Sequence, residues 1–404
     1  MFGSGFAGAA DLSGIVVDGT TKKPIEAAFV TLGTTVARTD ANGHYQISGT
    51  GEDIGIRAYG YLRRAVTTAS LAHNEAISLT PFTPKALYLS FYGIGSQPLR
   101  ESALELIRAT ELNALVIDVK GDRGRVAFRS SNALAAEVGA QKIITIKDAK
   151  ALIGTLHQNN IYTIARIVVF KDDQLAMAKP ALALKTVHGV VWKDKEGLAW
   201  TNPYDENVWK YNIDLAVEAA QAGFDEIQFD YVRFPDATGL AYSRPNTEEN
   251  RVAAISGFLA EARQHLVPYN VFLAADIFGY VVWNSNDTSI GQKLGNLVSP
   301  LDYLSLMLYP SGFQFGIPGY ENPVAHPGQI VHLSLEKARQ RTGLPTVRFR
   351  PWLQAFRDYA FDRTPFESAQ IRAQIEAAEK FGSDGWMLWN PRNSYSSEGL
   401  KLEH

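Results

Sequence analysis

The chain has 404 residues, 46% of them hydrophobic and 20% charged, with a formal net charge of −3. That length exceeds one ordinary domain and can bury a large core, and the charge offers no basic footprint, so nucleic acid is excluded as a partner. Cysteine is absent, which removes disulfides, thiolate metal sites and cysteine nucleophiles but leaves the compartment open.

No apolar run reaches the length of about 18 residues that spans a bilayer, so no transmembrane segment is expected. The opening MFGSGFAGAA is built of small residues without a charged n-region. Residues 1–11 are therefore expected as a flexible terminus, with no intact signal peptide and a natural leader trimmed away. Leu402-Glu403-His404 is expected as a tag remnant.

Residues 12–81 carry short β-prone runs separated by turns at about ten-residue spacing, which predicts a small all-β sandwich. Gly14-Ile15-Val16-Val17-Asp18 alternates, and Lys23-Pro24-Ile25 turns into Ala28-Phe29-Val30-Thr31-Leu32. Asp40 to Tyr45 supplies a turn in which Asn42-Gly43 is expected at positive φ. The pattern G-x-V-x-D, P-I-x-x-A-x-V, T-D-x-N-G-x-Y and then Ala58-Tyr59-Gly60-Tyr61 resembles the carboxypeptidase regulatory-like family over this whole segment. That resemblance implies a transthyretin-like sandwich attached to secreted or envelope proteins, serving as a spacer or, as in sugar-binding relatives, a glycan-binding module.

Pro81-Phe82-Thr83-Pro84 reads as a linker. Over 85–401 the pattern becomes strand, helix, strand, helix. Candidate strands are Ala86–Ile94, Ala114–Gly121, Tyr162–Phe170, Glu226–Pro235, Val271–Tyr280, Tyr303–Pro310, Val347–Phe356 and Gly385–Pro391. Amphipathic helical stretches include Val208–Ala222, Glu248–Leu266, Ser334–Thr342 and Glu367–Phe381. Eight strands with helical crossovers predict an α/β fold, a (β/α)8 TIM barrel. An open doubly wound sheet is the alternative, but no G-x-G-x-x-G or P-loop follows the first strands.

The run from Phe224 to Pro235, FDEIQFDYVRFP, carries the chemistry. Alternation places Gln228, Asp230 and Val232 on one face and Ile227, Phe229 and Tyr231 on the other. A polar inner face climbing to a carboxylate fits a barrel strand, whose C-terminal end is where catalytic groups sit. The plainer alternative is a strand ending in a surface aspartate. Other polar residues gather at the same level: Tyr92 near the end of the first strand, Asp118 and Lys120 sharing a face of the second, and Arg166 on the third. Arg233 and Asp236 lie just beyond Asp230, and Asp276 lies on the fifth strand beside the small Ala274. Tyr309 ends the sixth, Trp352 and Gln354 the seventh, Trp389 and Asn390 the eighth.

Two carboxylates on adjacent strand ends, ringed by Tyr, Trp and Asn, suit glycoside chemistry: one protonates the leaving oxygen while the other attacks the anomeric carbon or activates water. Aromatic rings stack on sugar faces, and amides and arginines bind hydroxyls or acidic substituents. Arg166 or Lys120 would hold one carboxylate ionised while a less solvated neighbour stays protonated. Asp118 and Arg166 read equally well as a buried ion pair closing the barrel. The segment Lys171 to Tyr211 is too long for a simple connection and holds His188, Trp192, Trp200, Asn202 and Tyr204, which predicts a substrate-binding rim. Ser311 to Pro327, with His326, predicts a second. No cofactor and no metal is expected, since neither H-x-x-x-H nor H-E-x-x-H occurs, which counts against a metal-dependent deacetylase.

From Tyr88 to Pro391 the chain resembles the glycosyl-hydrolase barrels of uncharacterised bacterial proteins, through Trp200-Thr201-Asn202-Pro203 and the F-D-x-I-x-F-D-Y-V-R-F-P strand. The same strand is similar to the chitinase-like pattern D-x-x-D-x-D-x-E. Asp225 matches its first Asp, Gln228 replaces the second, Asp230 matches the third, and Val232 stands where the catalytic Glu belongs. That departure counts against substrate-assisted hydrolysis and moves the role to Asp230 with Asp276. The resemblance implies a secreted or periplasmic glycosidase acting on a polysaccharide or oligosaccharide. In it Asp230 is expected as nucleophile or stabiliser and Asp276 as general acid/base, with exchangeable roles. A carboxyl separation of about 5–5.5 Å would mean retention and about 6.5–9.5 Å inversion. A catalytically inactive polysaccharide-binding barrel is the alternative, favoured by the lack of any Glu at these strand ends.

Overall fold

The computed structural model describes residues 10–71 and 76–402; the expectations for residues 1–9 and for Glu403-His404 lie outside them. The chain forms two compact units, one running to Thr83 and taking in Arg263–Phe272, the other comprising Pro84–Ala262 and the chain from Leu273 onward. Among the described residues no helix is long and apolar enough to cross a membrane.

The smaller unit is a β-sandwich of β1 (Ala10–Asp18), β2 (Phe29–Leu32), β3 (Thr35–Arg38), β4 (His44–Gly49), β5 (Asp53–Arg57), β6 (Arg64–Thr67) and β7 (Ala76–Leu79). Its sheets run β4-β1-β7 and β3-β2-β5-β6, antiparallel except for the β1·β7 pair. Period-two alternation builds the core. In β4, Tyr45 and Ile47 are buried while His44, Gln46 and Ser48 are exposed, and the buried residues meet Val16, Val30, Ile54, Ile56 and Leu79. At the Asp40–Tyr45 turn only Gly43 of the expected pair has positive φ, at 76°. Asp40 Oδ1 instead accepts from the backbone N–H of Asn42 and of His44, each at 2.9 Å, and this side-chain bond makes the reversal without a left-handed Asn42.

The larger unit is a closed barrel of eight strands. They are β8 (Lys85–Leu89), β9 (Ala114–Lys120), β10 (Tyr162–Val168), β12 (Glu226–Asp230), β14 (Phe272–Phe278), β15 (Tyr303–Met307), β16 (Trp352–Gln354) and β17 (Trp386–Trp389). Each neighbours the next in chain order, and β17 pairs in parallel with β8 to close the ring. β11 (Lys185–Thr186) and β13 (Leu240–Ala241) form a separate antiparallel ribbon. The helices are α1 (Phe91–Gly95), α2 (Gln97–Ala109), α3 (Ala133–Glu137), α4 (Ala149–Gln158), α5 (Asp173–Ala178), α6 (Glu206–Ala222), α7 (Glu248–Leu266), α8 (Leu294–Leu297), α9 (Pro327–Thr342) and α10 (Ser368–Phe381). Helix α6 shows the local logic. Asp205 caps its start by accepting from the Asn207 N–H at 2.9 Å. Val208, Tyr211, Leu215 and Ala219 bury one face at three- and four-residue spacing, and Gly223, at φ 108°, ends it.

The polar inner face of β12 is explained by layers. On the floor, Glu226 accepts from Tyr162 Oη at 3.1 Å and from Arg350, whose Nη2 donates to Asp384 Oδ2 at 3.0 Å and whose guanidinium lies 3.9 Å from the centre of the Tyr303 ring. Burial pushes the Glu226 carboxyl up, opposed by Arg350. One layer above, Gln228 Nε2 donates across the interior to Ser305 Oγ at 3.1 Å and lies 3.3 Å from Met387 Sδ. The floor is sealed by paired charge, so chemistry is confined to the C-terminal ends of the strands.

Barrel closure depends on one glycine. Gly385 takes φ 81°, and a Cβ there would lie 1.7 Å from the carbonyl oxygen of Pro84, the acceptor of the Trp386 N–H at 3.1 Å. Gly385→Ala is expected to cost on the order of 3–5 kcal/mol, read as a fall in the urea midpoint. Gly343→Ala, at φ 69° with nothing within 4 Å, should cost only about 1–2 kcal/mol for the left-handed backbone. Equal midpoints for the two variants would refute the clash argument.

Candidate active site

Arg166, on the inner face of β10, organises the top layer. Its Nη1 donates to Asp118 Oδ1 at 2.6 Å, and its Nε and Nη2 donate to Asp230 Oδ2 at 3.0 and 2.5 Å. The guanidinium lies 4.8 Å from the Trp389 ring centre and 5.3 Å from that of Tyr88, and these two rings stack 3.9 Å apart. Asp118 accepts further bonds from Tyr88 Oη at 2.8 Å and the Phe91 N–H at 3.1 Å. Asp230 Oδ1 accepts from the N–H of Tyr231 at 2.6 Å. Asp118 and Asp230 are thus each satisfied. Burial still pushes the Asp118 carboxyl up, against Arg166.

Asp276, on β14, is different. Its Oδ1 accepts from Trp352 Nε1 at 2.7 Å. Its Oδ2 is buried without a donor, and the nearest cation, Arg166 Nε, stands 3.9 Å away. Burial drives its carboxyl well above the usual range, the negative charge of Asp230 adds to the shift, and Arg166 only partly opposes it. Arg166 gives Asp230 two donors, whereas Asp276 has only the 3.9 Å approach of Nε, so Asp276 is the carboxyl whose protonated form this site favours.

The backbone turns sharply beyond the first carboxylate. Tyr231 sits at φ 47°, an uncommon conformation for an aromatic residue. The strand therefore stops at Asp230, and period-two alternation stops with it. Tyr231, expected on the outer face, lines the cavity instead, with its ring 5.6 Å from that of Trp200 and 5.0 Å from Lys171 Nζ. The cavity holds about 230 Å³ and is lined by Asp230, Tyr231, Arg233, Asp276 and Tyr309, with Phe278, Phe313 and Tyr359 as aromatic walls. Among the described residues the buried Tyr309 hydroxyl has no partner. Burial, with the neighbouring carboxyls adding to it, raises it well above the usual phenol value, so it stays a donor.

Of the residues singled out in the sequence, Asp118, Arg166, Asp230, Asp276, Trp352 and Trp389 come together here, with Arg233 and Tyr309 on the cavity wall. Lys120 does not join them. The β9·β10 register passes from Asp118↔Arg166 to Lys120↔Ile167, a bulge that turns Lys120 off the face of Asp118. Its Nζ bonds Asp172 Oδ2 at 2.5 Å and lies 5.5 Å from the Tyr211 ring on α6. Gln354 is buried, with its amide bonded to Ser311 and the Phe356 carbonyl. Asn390 donates to the carbonyls of Ala355 and Ser394.

The Lys171–Tyr211 segment folds inward. Trp200 is 3% exposed, with Nε1 on Asp194 Oδ2 at 3.0 Å. Asn202 accepts from the Tyr204 N–H, and the buried Tyr204 bonds Asn246. Lys171, itself buried, anchors the segment through Asp194 and Glu196. Tyr92, Asp236, His188 and His326 are exposed and line no part of the cavity. Gln292 went unnoticed in the sequence; it donates to the Asp276 carbonyl at 3.1 Å and accepts from the Phe278 N–H at 2.9 Å. Among the described residues no group of three or more His, Asp or Glu side chains is placed to hold a metal ion; the guanidinium of Arg166 occupies the space among the three aspartates.

The family model described as "Putative glycosyl hydrolase domain" matches residues 86–395. A hypothetical protein from Ruminiclostridium thermocellum ATCC 27405 is similar at 40% identity over 47% of this chain and 96% of that one, with a TM-score of 0.43. The PgaB (BpsB) glycoside hydrolase domain from Bordetella bronchiseptica aligns at 13% identity over 80% of this chain and 100% of that one, with a TM-score of 0.55; at that identity the likeness is one of fold. No curated protein matches the chain.

Proposed function

The chain belongs to the "Putative glycosyl hydrolase domain" family over residues 86–395, and on that premise we propose that it is a glycosidase cleaving a polysaccharide with Asp230 and Asp276. One observation carries this reading: Asp276, a buried carboxyl whose Oδ2 has no donor among the described residues and whose surroundings favour its protonated form, shares a cavity wall with Asp230, which Arg166 holds by two donors. An acid and a base kept apart in protonation by their surroundings are what glycoside cleavage requires.

In this reading Asp276 hands its proton to the leaving glycosidic oxygen while Trp352 Nε1, bonded to Oδ1, takes up part of the developing charge. Asp230, held by two donors of Arg166, attacks or stabilises the anomeric carbon. Tyr309 donates to a sugar hydroxyl, and Phe278 and Tyr359, both exposed, offer faces for sugar rings. The reading includes a secreted or envelope setting, on the resemblance of residues 12–81 to modules of such proteins.

A second reading, a polysaccharide-binding barrel without turnover, is favoured by the burial of both carboxyls, 3% exposed for Asp230 and 2% for Asp276. Reducing-end release from bacterial and plant polysaccharides by the wild-type protein, beside Asp230→Asn and Asp276→Asn, tests the choice. Release that both substitutions abolish supports the glycosidase. Binding without release, unchanged in Asp230→Asn, supports the second reading.

A further inference from the structure

Arg233 stands two residues beyond the strand end, half-buried on the wall of the cavity that holds Asp230 and Asp276. A guanidinium beside two carboxyls ordinarily pairs with one of them. This one does not: among the described residues Arg233 makes no ion pair, and Arg166 already holds Asp230 by two donors. One of its donors, Nη1, bonds the carbonyl of Phe234 at 3.0 Å. Its position is set by two rings, with the guanidinium carbon 5.1 Å from the centre of Trp200 and 5.1 Å from that of Tyr231. Trp200 is in turn fixed by Asp194, and Tyr231 by its left-handed backbone. The cation is thus partly desolvated, aimed by the two rings, and among the described residues four of its five N–H donors have no acceptor.

We propose that Arg233 is a specificity-determining residue that receives an anionic substituent, a uronate carboxylate or a sulfate ester, on the sugar in this cavity. The inference rests on the glycan-binding part of the reading above and narrows the substrate to acidic polysaccharides. The planar fork of a guanidinium matches two oxygens of either anion. Charge supports it as well. With Asp276 protonated, the two carboxylates Asp118 and Asp230 are balanced by the two guanidinium groups of Arg166 and Arg233, but Arg166 touches both carboxylates and Arg233 neither. The positive end of the cluster is therefore the one that faces open cavity, beside the aromatic wall of Phe278 and Tyr359.

The test is binding by calorimetry of three oligosaccharide sets of matched length: glucuronate-containing, sulfated galactose and neutral glucose oligomers. One acidic set is expected to bind at least about 10-fold tighter than the neutral set, equivalent to about 1.4 kcal/mol, and which one binds distinguishes carboxylate from sulfate. The preference should shrink in high salt, vanish in Arg233→Gln, and be only partly kept in Arg233→Lys, which retains charge without the fork. Asp230→Asn should retain it. Should Arg233→Gln fail to fold, Arg233→Lys and the salt dependence still decide. Failure of both acidic sets to bind, or an acidic preference unchanged in Arg233→Gln, overturns the inference. Cleavage of neutral glycans with equal affinity for all sets leaves the glycosidase standing without it. Acidic preference with no cleavage does the reverse.

Discussion

Asp276→Asn is expected to lower turnover by about 100- to 10,000-fold, the contribution of a positioned general acid, while leaving the barrel folded. The amide fits the site. Its oxygen can accept the Trp352 Nε1–H that Oδ1 accepts now, and its NH2 takes the place of Oδ2, which has no donor among the described residues. What it lacks is a transferable proton. The deficit should therefore be large for a sugar leaving group and small for a dinitrophenyl glycoside, whose departure needs no protonation. The alkaline limb of the wild-type pH profile, set by loss of the Asp276 proton, should vanish in the variant.

Stability adds an independent reading of the same group. The folded Asp276 carboxyl titrates well above its unfolded value, so its contribution is complete below the unfolded pKa and is lost as pH rises through the folded one. Asparagine has no such loss. The melting temperature of the variant relative to wild type should accordingly increase with pH. Unchanged turnover together with a pH-independent difference in melting temperature would remove Asp276 from the chemistry.

The barrel was legible because its strands obey period two and its helices open and close on recognisable caps, as in α6 between Asp205 and Gly223. Asp118, Arg166, Asp230 and Asp276 were legible for the same reason: each sits on the inner face of a strand at the level where alternation predicts. The pattern failed where the backbone leaves that period. The β9 bulge redirected Lys120 to Asp172, and the left-handed Tyr231 brought an outer-face residue into the cavity. Neither feature has a clear local signature, since Val119 and Tyr231 are ordinary strand residues. The aromatic residues of the long segment announced a rim, but an indole N–H and a phenol both bond inside the protein as readily as to a ligand, and Trp200 and Tyr204 do so. The Glu226–Arg350–Asp384 floor was invisible for another reason. Its members are separated by 124 and 34 residues, and only the closed ring brings them together.

Arg166→Met carries a large expected cost in stability. Methionine keeps the apolar stem and removes the cation that touches Asp118 and Asp230 and stands nearest Asp276 among the described residues. Breaking a buried ionic cluster from the cation side costs about 3–5 kcal/mol, because the carboxylates left behind are neither hydrated nor paired. The cost must depend on pH. Without the guanidinium, carboxyls already raised by burial, Asp118 and Asp276, rise further, and Asp230 loses both side-chain donors on its Oδ2. Groups whose folded pKa is raised lose their stabilising contribution as pH increases through it. The deficit should therefore be greatest at pH 8 and should shrink on acidification toward pH 5, where protonated carboxyls can bond one another. The urea midpoints of wild type and variant at the two pH values measure this. Adding Asp118→Asn and Asp230→Asn to Arg166→Met should recover much of the loss at pH 8, since a neutral cluster no longer needs a cation. A deficit equal at both pH values, with no recovery in the triple variant, would mean that Arg166 supports the barrel by packing between Tyr88 and Trp389 and not by charge.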